Sequence, residues 1–166
     1  MYDIFIGIDN GVTGTIGILG GNSPVFVKTP TRKAAQDYQK TKKNITRIDT
    51  RMLAALLNSY SPQRTFILLE RPLVTKERFY QTLSAMRSFE ATLIIIETLG
   101  FPHDFIDSKE WQKLLLPDGI KGEAELKKAS HDAGLKLFPS CSELIESHKD
   151  ADGLLIAEFC RITRKI

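Results

Sequence analysis

The sequence contains little cysteine and no long apolar run. Its two cysteines, Cys141 and Cys160, lack the CxxC spacing of a structural zinc site, and such a low number is typical of a reducing compartment. No stretch reaches the length of a membrane span, and the chain opens with a strand pattern rather than a signal peptide. We therefore expect a cytoplasmic protein without a membrane partner.

Two common catalytic signatures are also missing. The chain has neither a GxSxG nucleophile elbow nor a GxxxxGK(S/T) phosphate loop. Neither sign of charge dominates, because 23 Lys and Arg against 20 Asp and Glu give a net charge of +3. With 166 residues, of which 42% are hydrophobic and 26% charged, the composition predicts one soluble globular domain with its own core.

Basic residues are concentrated in one segment, residues 28–51. The segment contains only two acids, Asp37 and Asp49. Its eight basic residues are Lys28, Arg32, Lys33, Lys40, Lys42, Lys43, Arg47 and Arg51. Such a segment is either a surface for a polyanion or a solvated loop. Residues 29–47 show little apolar periodicity, so we predict a long mobile loop there.

Residues 4–19, IFIGIDNGVTGTIGIL, predict a strand, a tight turn and a return strand. Asn10 and Gly11 give a strong hairpin signal because both residue types tolerate positive φ. Asp9 stands where the first strand ends. Its carboxylate either holds a metal ion or a phosphate-bound metal, which would offset the cost of burial, or accepts hydrogen bonds from turn amides.

A second apolar run, residues 65–70 (TFILLE), ends in the same way. Its four consecutive large apolar residues indicate a strand buried on both faces of a sheet, and Pro72 stops it. Residues 74–80 then predict a basic loop with aromatic residues at its end. Glu70, the last residue of the run, is either an exposed acid at a strand end or part of a site. Two buried strands that each end in a carboxylate favour the site.

Local patterns predict the remaining elements. Short strands are expected at residues 24–28 and 105–106. Helices are expected to begin near Asp49, to span 82–99, to span 108–116 with Ser108 as N-cap, and to span 122–133, where Gly134 ends the helix. The helix over 82–99 is more apolar than a surface helix needs. It therefore lies either in the core or against a second subunit.

The last helix pattern, within residues 147–163, opens with a charged turn. Asp150 is a natural N-cap, and Asp152 is a second acid that capping does not require. His148 and Asp152 share one face if the helix extends back that far. Acids at the ends of distant elements can converge over one end of a sheet, and such oxygen ligands suit Mg²⁺. Two ions roughly 4 Å apart would activate a water and stabilise the leaving oxygen of a phosphodiester.

The motifs GIDNGVTGTIGIL, LLERP and DADGLLIAEF, in this order, resemble those of the RuvC-type Holliday-junction resolvases of the ribonuclease H-like superfamily. SFEATLIIIETLG and DSKEWQKLLL resemble the middle of that family, and the small phage and prophage versions are the most similar. The resemblance implies one ribonuclease H-like nuclease domain over residues 1–166, with a mixed five-stranded sheet flanked by helices. It also implies a homodimer that uses Mg²⁺ or Mn²⁺ to nick branched DNA in recombination or repair.

Carried over by position, the resemblance implies that Asp9, Glu70 and Asp152 are the metal-binding acids. The family's fourth ligand, an Asp or a His, would fall on Lys149, which is a departure from the pattern. The flanking residues His148 and Asp150 are the two candidates to replace it. His148 as a neutral imidazole could also handle a proton near neutral pH.

The resemblance also implies a surface for branched DNA. The family's aromatic wedge would fall on Leu73, while aromatic residues lie a few positions further on. Phosphate contacts position DNA without reading its sequence, so basic side chains around the site are expected to bind it. The expected DNA-binding residues are Lys42, Lys43, Arg47, Arg71, Lys76, Arg78, Phe79 and Tyr80.

Two other classes of protein stay open. The turn DNGVTG also resembles the phosphate loop of sugar kinases and related ATPases with the same core fold, but those proteins need two lobes and 166 residues hold one. The second class is a nucleic-acid-binding module that keeps the fold and has lost the chemistry. The three retained acids disfavour it, because idle buried acids are a liability in folding.

Overall fold

The computed structural model describes residues 2–35 and 44–164. These residues form seven strands: β1 (Ile4–Ile8), β2 (Thr15–Leu19), β3 (Val25–Lys28), β4 (Thr31–Ala35), β5 (Asn44–Ile48), β6 (Thr65–Glu70) and β7 (His103–Ile106). They also form six α-helices: α1 (Thr50–Leu57), α2 (Phe79–Thr98), α3 (Ser108–Leu115), α4 (Glu123–Leu137), α5 (Ser142–His148) and α6 (Asp152–Arg164). Five strands build a mixed sheet in the order β3-β2-β1-β6-β7, which has helices on both faces.

The register of the central strands brings two strand ends together. β1 pairs in parallel with β6, and Ile8 lies opposite Leu69. On their other edges β1 pairs antiparallel with β2, and β6 pairs in parallel with β7. Because parallel strands end at the same edge of a sheet, the residues that follow Ile8 and Leu69 are neighbours. These residues are Asp9 and Glu70.

α6 lies directly on the sheet because glycines stand where it crosses the strands. A Cβ atom on Gly7 of β1 would come within 2.2 Å of the backbone nitrogen of Ala157. A Cβ atom on Gly17 of β2 would come within 2.4 Å of the Cα atom of Leu154. No side chain larger than hydrogen fits at either glycine, so backbone packs on backbone. This contact fixes where α6 begins relative to the start of β2.

The sheet has an apolar core on each face. α6 covers one face together with Trp111 of α3, and the whole indole is buried there. α1 and α2 cover the other face, where Leu53 and Ile96 are fully buried. None of the helices in the described part of the chain is both long enough and apolar enough to cross a membrane.

The basic segment is not the loop that its sequence predicts. β4 and β5 pair antiparallel as a separate two-stranded sheet, with Arg32 opposite Arg47 and Thr31 opposite Ile48. In these two strands Ile48 alone is buried, so the hydrophobic alternation that identifies a half-buried strand is absent from the sequence. The predicted DNA-binding residues Lys42 and Lys43 lie outside the described residues.

The turn after β1 is longer than the two-residue hairpin that Asn10 and Gly11 indicate. The amide of Asp9 donates to Thr15 O at 2.9 Å, so residues 10–14 form the connection. Gly11 has a φ of +140°, whereas Asn10 is not in the positive-φ region. Gly14 is required for a different reason, because a Cβ atom there would lie 2.2 Å from the carbonyl oxygen of Asp9.

Two helices begin earlier than predicted. α2 begins at Phe79, so Phe79 and Tyr80 belong to its first turn and not to the preceding loop. α3 is capped by Asp107, which forms a capping box with Glu110, and Ser108 is already helical. Asp49 caps α1 as predicted, through a 3.1 Å hydrogen bond from the amide of Met52.

The C-terminal half departs further from its sequence pattern. α4 runs through Gly134 to Leu137, because that glycine marks close packing rather than a helix end. A Cβ atom on Gly134 would lie 2.2 Å from the Cβ atom of Ala151. α5 was not predicted at all, and Lys149 ends it with a left-handed φ of +67°. α6 then begins at Asp152, later than the predicted cap at Asp150.

Candidate metal site and nucleic-acid surface

Three of the predicted acids converge at the edge where β1 and β6 end. Asp9 follows β1, Glu70 is the last residue of β6, and Asp152 is the first residue of α6. Burial raises the pKa of Asp9 well above its ordinary value, and the negative charges of Glu70 and Asp152 raise it further. The Asp9 carboxyl group also shares a hydrogen bond with Glu70, so it does more than accept hydrogen bonds from turn amides.

Glu70 is held by a tryptophan on the neighbouring helix. The indole Nε1 of Trp111 donates to Glu70 Oε1 at 3.0 Å. Burial raises the pKa of Glu70, while the hydrogen bonds from Trp111 and from protonated Asp9 oppose that shift. The two strand-end carboxyl groups therefore share a proton more readily than they carry two charges.

Asp152 is held by a serine of α4. Ser130 Oγ donates a short hydrogen bond to Asp152 Oδ1 and accepts a 3.0 Å bond from the amide of Ala151. Burial raises the pKa of Asp152 to about 7, with smaller contributions from the charges of Asp150 and Glu70, and the bond from Ser130 opposes the shift. Near neutral pH this acid is therefore partly protonated.

Asp150 is not the helix cap that its position predicts. α6 begins two residues later, and the carbonyl of Ala151 accepts the first helical bond from Leu155 N at 3.0 Å. Asp150 Oδ1 is buried and has no hydrogen-bond partner within the described residues. Buried polar atoms are normally satisfied, so an unpartnered carboxylate oxygen beside three other acids fits a cation ligand.

His148 does not stand outside a helix, free to turn toward Asp152. It is the last residue of α5, and its ring packs edge-on against Phe26 of β3 with 5.2 Å between the ring centroids. Burial and the charge of Lys28 lower the pKa of His148, and the nearby Asp150 opposes this. The imidazole is thus neutral and held on the β3 side, beside Asp150.

The four acids have the chemistry of a Mg²⁺ site but are not drawn tightly together. Among the described residues, no three His, Cys, Asp or Glu side chains are arranged to hold a metal ion as they stand. Asp9, Glu70, Asp150 and Asp152 nevertheless influence one another electrostatically and offer only oxygen donors. The mutual repulsion of the acids, and the raised pKa values of Asp9, Glu70 and Asp152, are what a bound divalent cation would relieve. The four acids therefore fit a bound Mg²⁺ ion.

The loop after β6 places several predicted DNA-binding residues around the acids. Arg71 and Arg78 line a cavity of about 250 Å³ together with Glu70 and Asn10. Arg71 also pairs with Asp107 at 3.3 Å, which fixes the direction of its guanidinium. Exposed apolar and aromatic side chains lie in this loop and in the first turn of α2: Leu73, Val74, Phe79 and Tyr80. Lys76 is exposed in the same loop.

A second basic surface lies between β5 and α2. Its cavity of about 340 Å³ is lined by three arginines, Arg32, Arg47 and Arg87. Within the described residues none of the three pairs with a carboxylate, and Glu90 is the only acid in the lining. Sequence reasoning selected Arg47 and missed Arg87, because only the fold brings α2 beside the basic hairpin. We call this surface the arginine groove.

Comparisons with known proteins support the fold and no more specific relationship. No family model matches the chain, and no curated protein matches its sequence. Among solved structures, RuvC of Thermus thermophilus matches with a TM-score of 0.50 and 16% identity over 96% of each chain. The same protein in complex with a Holliday junction substrate matches with a TM-score of 0.49 and 16% identity, over 98% of this chain and 97% of that one.

The chain therefore has the α/β architecture of RuvC, a ribonuclease H-like fold. The mixed five-stranded sheet flanked by helices confirms the fold predicted from the sequence. At 16% identity the likeness establishes the fold alone. Activity must be argued from the site.

Proposed function

We propose that this protein is a Mg²⁺-dependent endonuclease that nicks branched DNA, as a Holliday-junction resolvase does, and that Mn²⁺ can replace Mg²⁺. The observation that carries the proposal is the convergence of Asp9, Glu70 and Asp152 at one edge of a RuvC-like sheet. The substrate class follows from the motifs that resemble junction resolvases. The carboxylates alone would suit hydrolysis of many phosphodiesters.

The proposed metal ligands are the three converging acids and Asp150. Two bound cations would activate a water and stabilise the leaving oxygen of the phosphodiester. Asp9 and Glu70 lie side by side because their strands are paired in parallel, and Asp152 reaches them from the first turn of α6. The unpartnered oxygen of Asp150 favours it over His148 as the fourth ligand. His148 packs against Phe26 and is left out of the proposed ligand set.

Phosphate and base contacts are proposed for the surfaces around these acids. The arginine groove and the loop of Arg71, Lys76 and Arg78 would bind phosphates on either side of the scissile bond. Phe79 and Tyr80, stacked edge-to-face with 5.6 Å between their centroids, are exposed by 59% and 81%. Exposed aromatic rings stack on unpaired bases, which occur at a branch point. Lys42 and Lys43 continue the basic segment in sequence.

A homodimer would supply the second active site that paired nicks require. α2 carries apolar side chains that the single chain leaves exposed by 42–52%: Leu83, Met86 and Ile94. They follow one another at intervals of three and eight residues, which places them along one side of the helix. Another side of α2 faces the core, where Ile95 and Ile96 are buried. The same helix can therefore serve the core and a partner.

The test is a cleavage panel in Mg²⁺ with a four-way junction, a fork, a flap, a linear duplex and an RNA–DNA hybrid. Asp9→Asn, Glu70→Gln and Asp152→Asn should each abolish junction cleavage and leave the fold intact. Junction binding without cleavage by the wild-type protein would instead indicate a binding module. Nucleotide hydrolysis without DNA cleavage would indicate a phosphotransferase of the same fold.

A further inference from the structure

Two of the acids have one carboxylate oxygen held by a buried donor from a neighbouring helix. Trp111 Nε1 of α3 donates to Glu70 Oε1 at 3.0 Å, and Ser130 Oγ of α4 donates to Asp152 Oδ1. Both donor residues are only 1% exposed, so water cannot easily take their place. Neither donor engages the second oxygen of its acid, Glu70 Oε2 or Asp152 Oδ2.

Ser130 is itself fixed from two directions. Its oxygen accepts the amide hydrogen of Ala151, so its own hydrogen is directed to Asp152. Gly134, one turn further along α4, packs against the side chain of Ala151. The serine, the turn before α6 and the acid that opens α6 therefore form one packed unit. Movement of the hydroxyl would move the carboxylate.

This arrangement differs from that of an ordinary buried helical serine. Ser88 in α2 is 2% exposed and donates to the carbonyl of Ser84, one turn earlier, at 3.0 Å. That local bond is the usual solution for a serine inside a helix. Ser130, with 1% exposure, gives its hydrogen to an acid 22 residues away instead. The hydroxyl thus serves Asp152 rather than its own helix.

We propose that Ser130 and Trp111 are positioning residues that present single oxygens of Asp152 and Glu70 to the cation and so make the site selective for Mg²⁺ over Ca²⁺. The inference rests on the proposed metal-dependent function and deepens it. Mg²⁺ demands near-ideal octahedral geometry, which carboxylates held to one oxygen can supply. Ca²⁺ accepts irregular and bidentate carboxylates, so it gains less from the two donors. Hydrogen bonds to ligands commonly change metal affinity roughly 10–100-fold.

Cation binding can be measured without DNA. Trp111 is the only tryptophan of the chain and touches Glu70, so its fluorescence reports on cation binding. Ser130→Ala should weaken Mg²⁺ binding by roughly tenfold or more, and Ca²⁺ binding by no more than about threefold. Ser130→Cys, which keeps the shape and donates poorly, should behave in the same way and serves if the alanine variant does not fold. Trp111→Phe, followed by calorimetry, should show the same loss of selectivity.

The matched control is Ser88→Ala, which removes an equally buried helical hydroxyl that donates to the carbonyl of Ser84. It should leave both affinities unchanged. Equal losses of Mg²⁺ and Ca²⁺ affinity in the Ser130 variants would overturn the inference, because they would indicate a general structural effect. Unchanged Mg²⁺ affinity in these variants would overturn it as well.

Cleavage assays separate this inference from the proposed function. If the wild-type protein cleaves junctions and the Ser130 variants bind Mg²⁺ as tightly as the wild-type protein does, the positioning role is wrong and the nuclease proposal stands. If the selectivity changes as expected but the wild-type protein cleaves no DNA, the nuclease proposal fails and the positioning role stands. In an active enzyme, the Mg²⁺ concentration that gives half-maximal cleavage should rise in the variants more than kcat falls.

Discussion

The backbone amide of Gly153 donates a 3.0 Å hydrogen bond to the buried hydroxyl of Thr15. This bond joins the first turn of α6, which carries Asp152, to the start of β2. The first amides of a helix have no partners within the helix, and Thr15 satisfies one of them in the interior. The location of Asp152 over the strand ends therefore depends on a hydroxyl group as well as on the close packing of glycines.

Thr15→Val keeps the shape of the side chain and removes that acceptor. We expect the free energy of unfolding to fall by about 1–3 kcal/mol, because the buried amide is left unsatisfied. Urea unfolding measures this change. The control is Thr29→Val, since Thr29 Oγ1 is buried without a hydrogen-bond partner in the described part of the chain, and its loss should leave stability unchanged or raise it. Equal stability of the two variants would show that the bond to Gly153 contributes nothing.

The strand-end acids were predictable because their signal is local. The sequence shows an apolar run that ends on a carboxylate at Asp9 and again at Glu70. Parallel pairing of β1 and β6 then brings these two acids side by side. Asp152 could be singled out because a helix needs only one cap and two acids were present. The convergence itself depends on which strands pair, and the resemblance to resolvases supplied that information.

The parts that the sequence did not predict depend on long-range packing. β4 and β5 bury almost nothing, so their strands leave no hydrophobic pattern. Glycine commonly ends a helix, so the sequence predicts the end of α4 at Gly134. Only the close approach of Ala151 explains why the helix continues through this residue. Ser130 and Trp111 are unremarkable in sequence, and their importance comes from the acids that they contact.

Asp152 should make the stability of the metal-free protein depend on pH. Its pKa is raised from 3.8 to about 7 in the folded chain. The folded state therefore keeps a proton that the unfolded chain releases, so its stabilising effect is complete at low pH and is lost as pH rises toward 7. We expect Asp152→Asn to weaken this decline and to raise Tm above that of the wild-type protein at pH 8. Melting curves between pH 4 and 8 in EDTA measure both effects.

Added Mg²⁺ provides the control for that measurement. A cation at the acids replaces the proton, so saturating Mg²⁺ should raise Tm of the wild-type protein most at pH 8 and least at pH 4. Asp152→Asn should respond much less. Identical pH slopes for the two proteins in EDTA would mean that Asp152 titrates normally in the folded chain.

Asp150→Ala and His148→Ala distinguish the two candidates for the fourth ligand. Among the residues that the structure describes, the buried Oδ1 of Asp150 has no hydrogen-bond partner, whereas the His148 ring packs against Phe26. We expect Asp150→Ala to lower Mg²⁺ affinity and the cleavage rate, with almost no loss of stability, because this residue is not a helix cap. His148→Ala should mainly lower stability, since it removes an aromatic contact worth about 0.5–1.5 kcal/mol. Calorimetric titration and melting curves, recorded for both variants, provide the measurements.

The opposite pattern would assign the fourth position to His148. In that case His148→Ala would lose cleavage and change the pH profile of the cleavage rate. Asp150→Ala would keep the wild-type cleavage rate and the wild-type pH profile. If neither variant loses cleavage, Asp9, Glu70 and Asp152 suffice. His148→Phe is the matched control, because it keeps the contact with Phe26 and removes the imidazole nitrogens.

Arg47→Ala and Arg87→Ala should each weaken binding to every DNA shape alike. Both arginines line the arginine groove, and contacts to phosphate carry no sequence information. Each lost phosphate contact should reduce the slope of log K against log salt by about 0.9. Fluorescence anisotropy from 50 to 200 mM salt measures the slope, with Ca²⁺ in place of Mg²⁺ to prevent cleavage. The control is Arg64→Ala, because Arg64 pairs with Asp3 before β1, at the opposite edge of the sheet.

Met86→Glu should separate the two subunits of the proposed dimer. Met86 is 42% exposed within the apolar row on α2, and a carboxylate in the middle of such a row would have to be buried without a partner. We expect sedimentation velocity at micromolar concentration to show a dimer for the wild-type protein and a monomer for the variant. The variant should still bind Mg²⁺, and its junction products should be singly nicked molecules rather than resolved duplexes.

Leu144→Glu is the matched control for this experiment, since Leu144 is 46% exposed on α5, outside the α2 row. It should remain a dimer and cut both strands. A wild-type protein that is monomeric even on junction DNA would remove the paired-nick mechanism, because two coordinated cuts need two sites related by a two-fold axis. The apolar row on α2 would then require another partner, while the acids and the proposed single-strand cleavage would be unaffected.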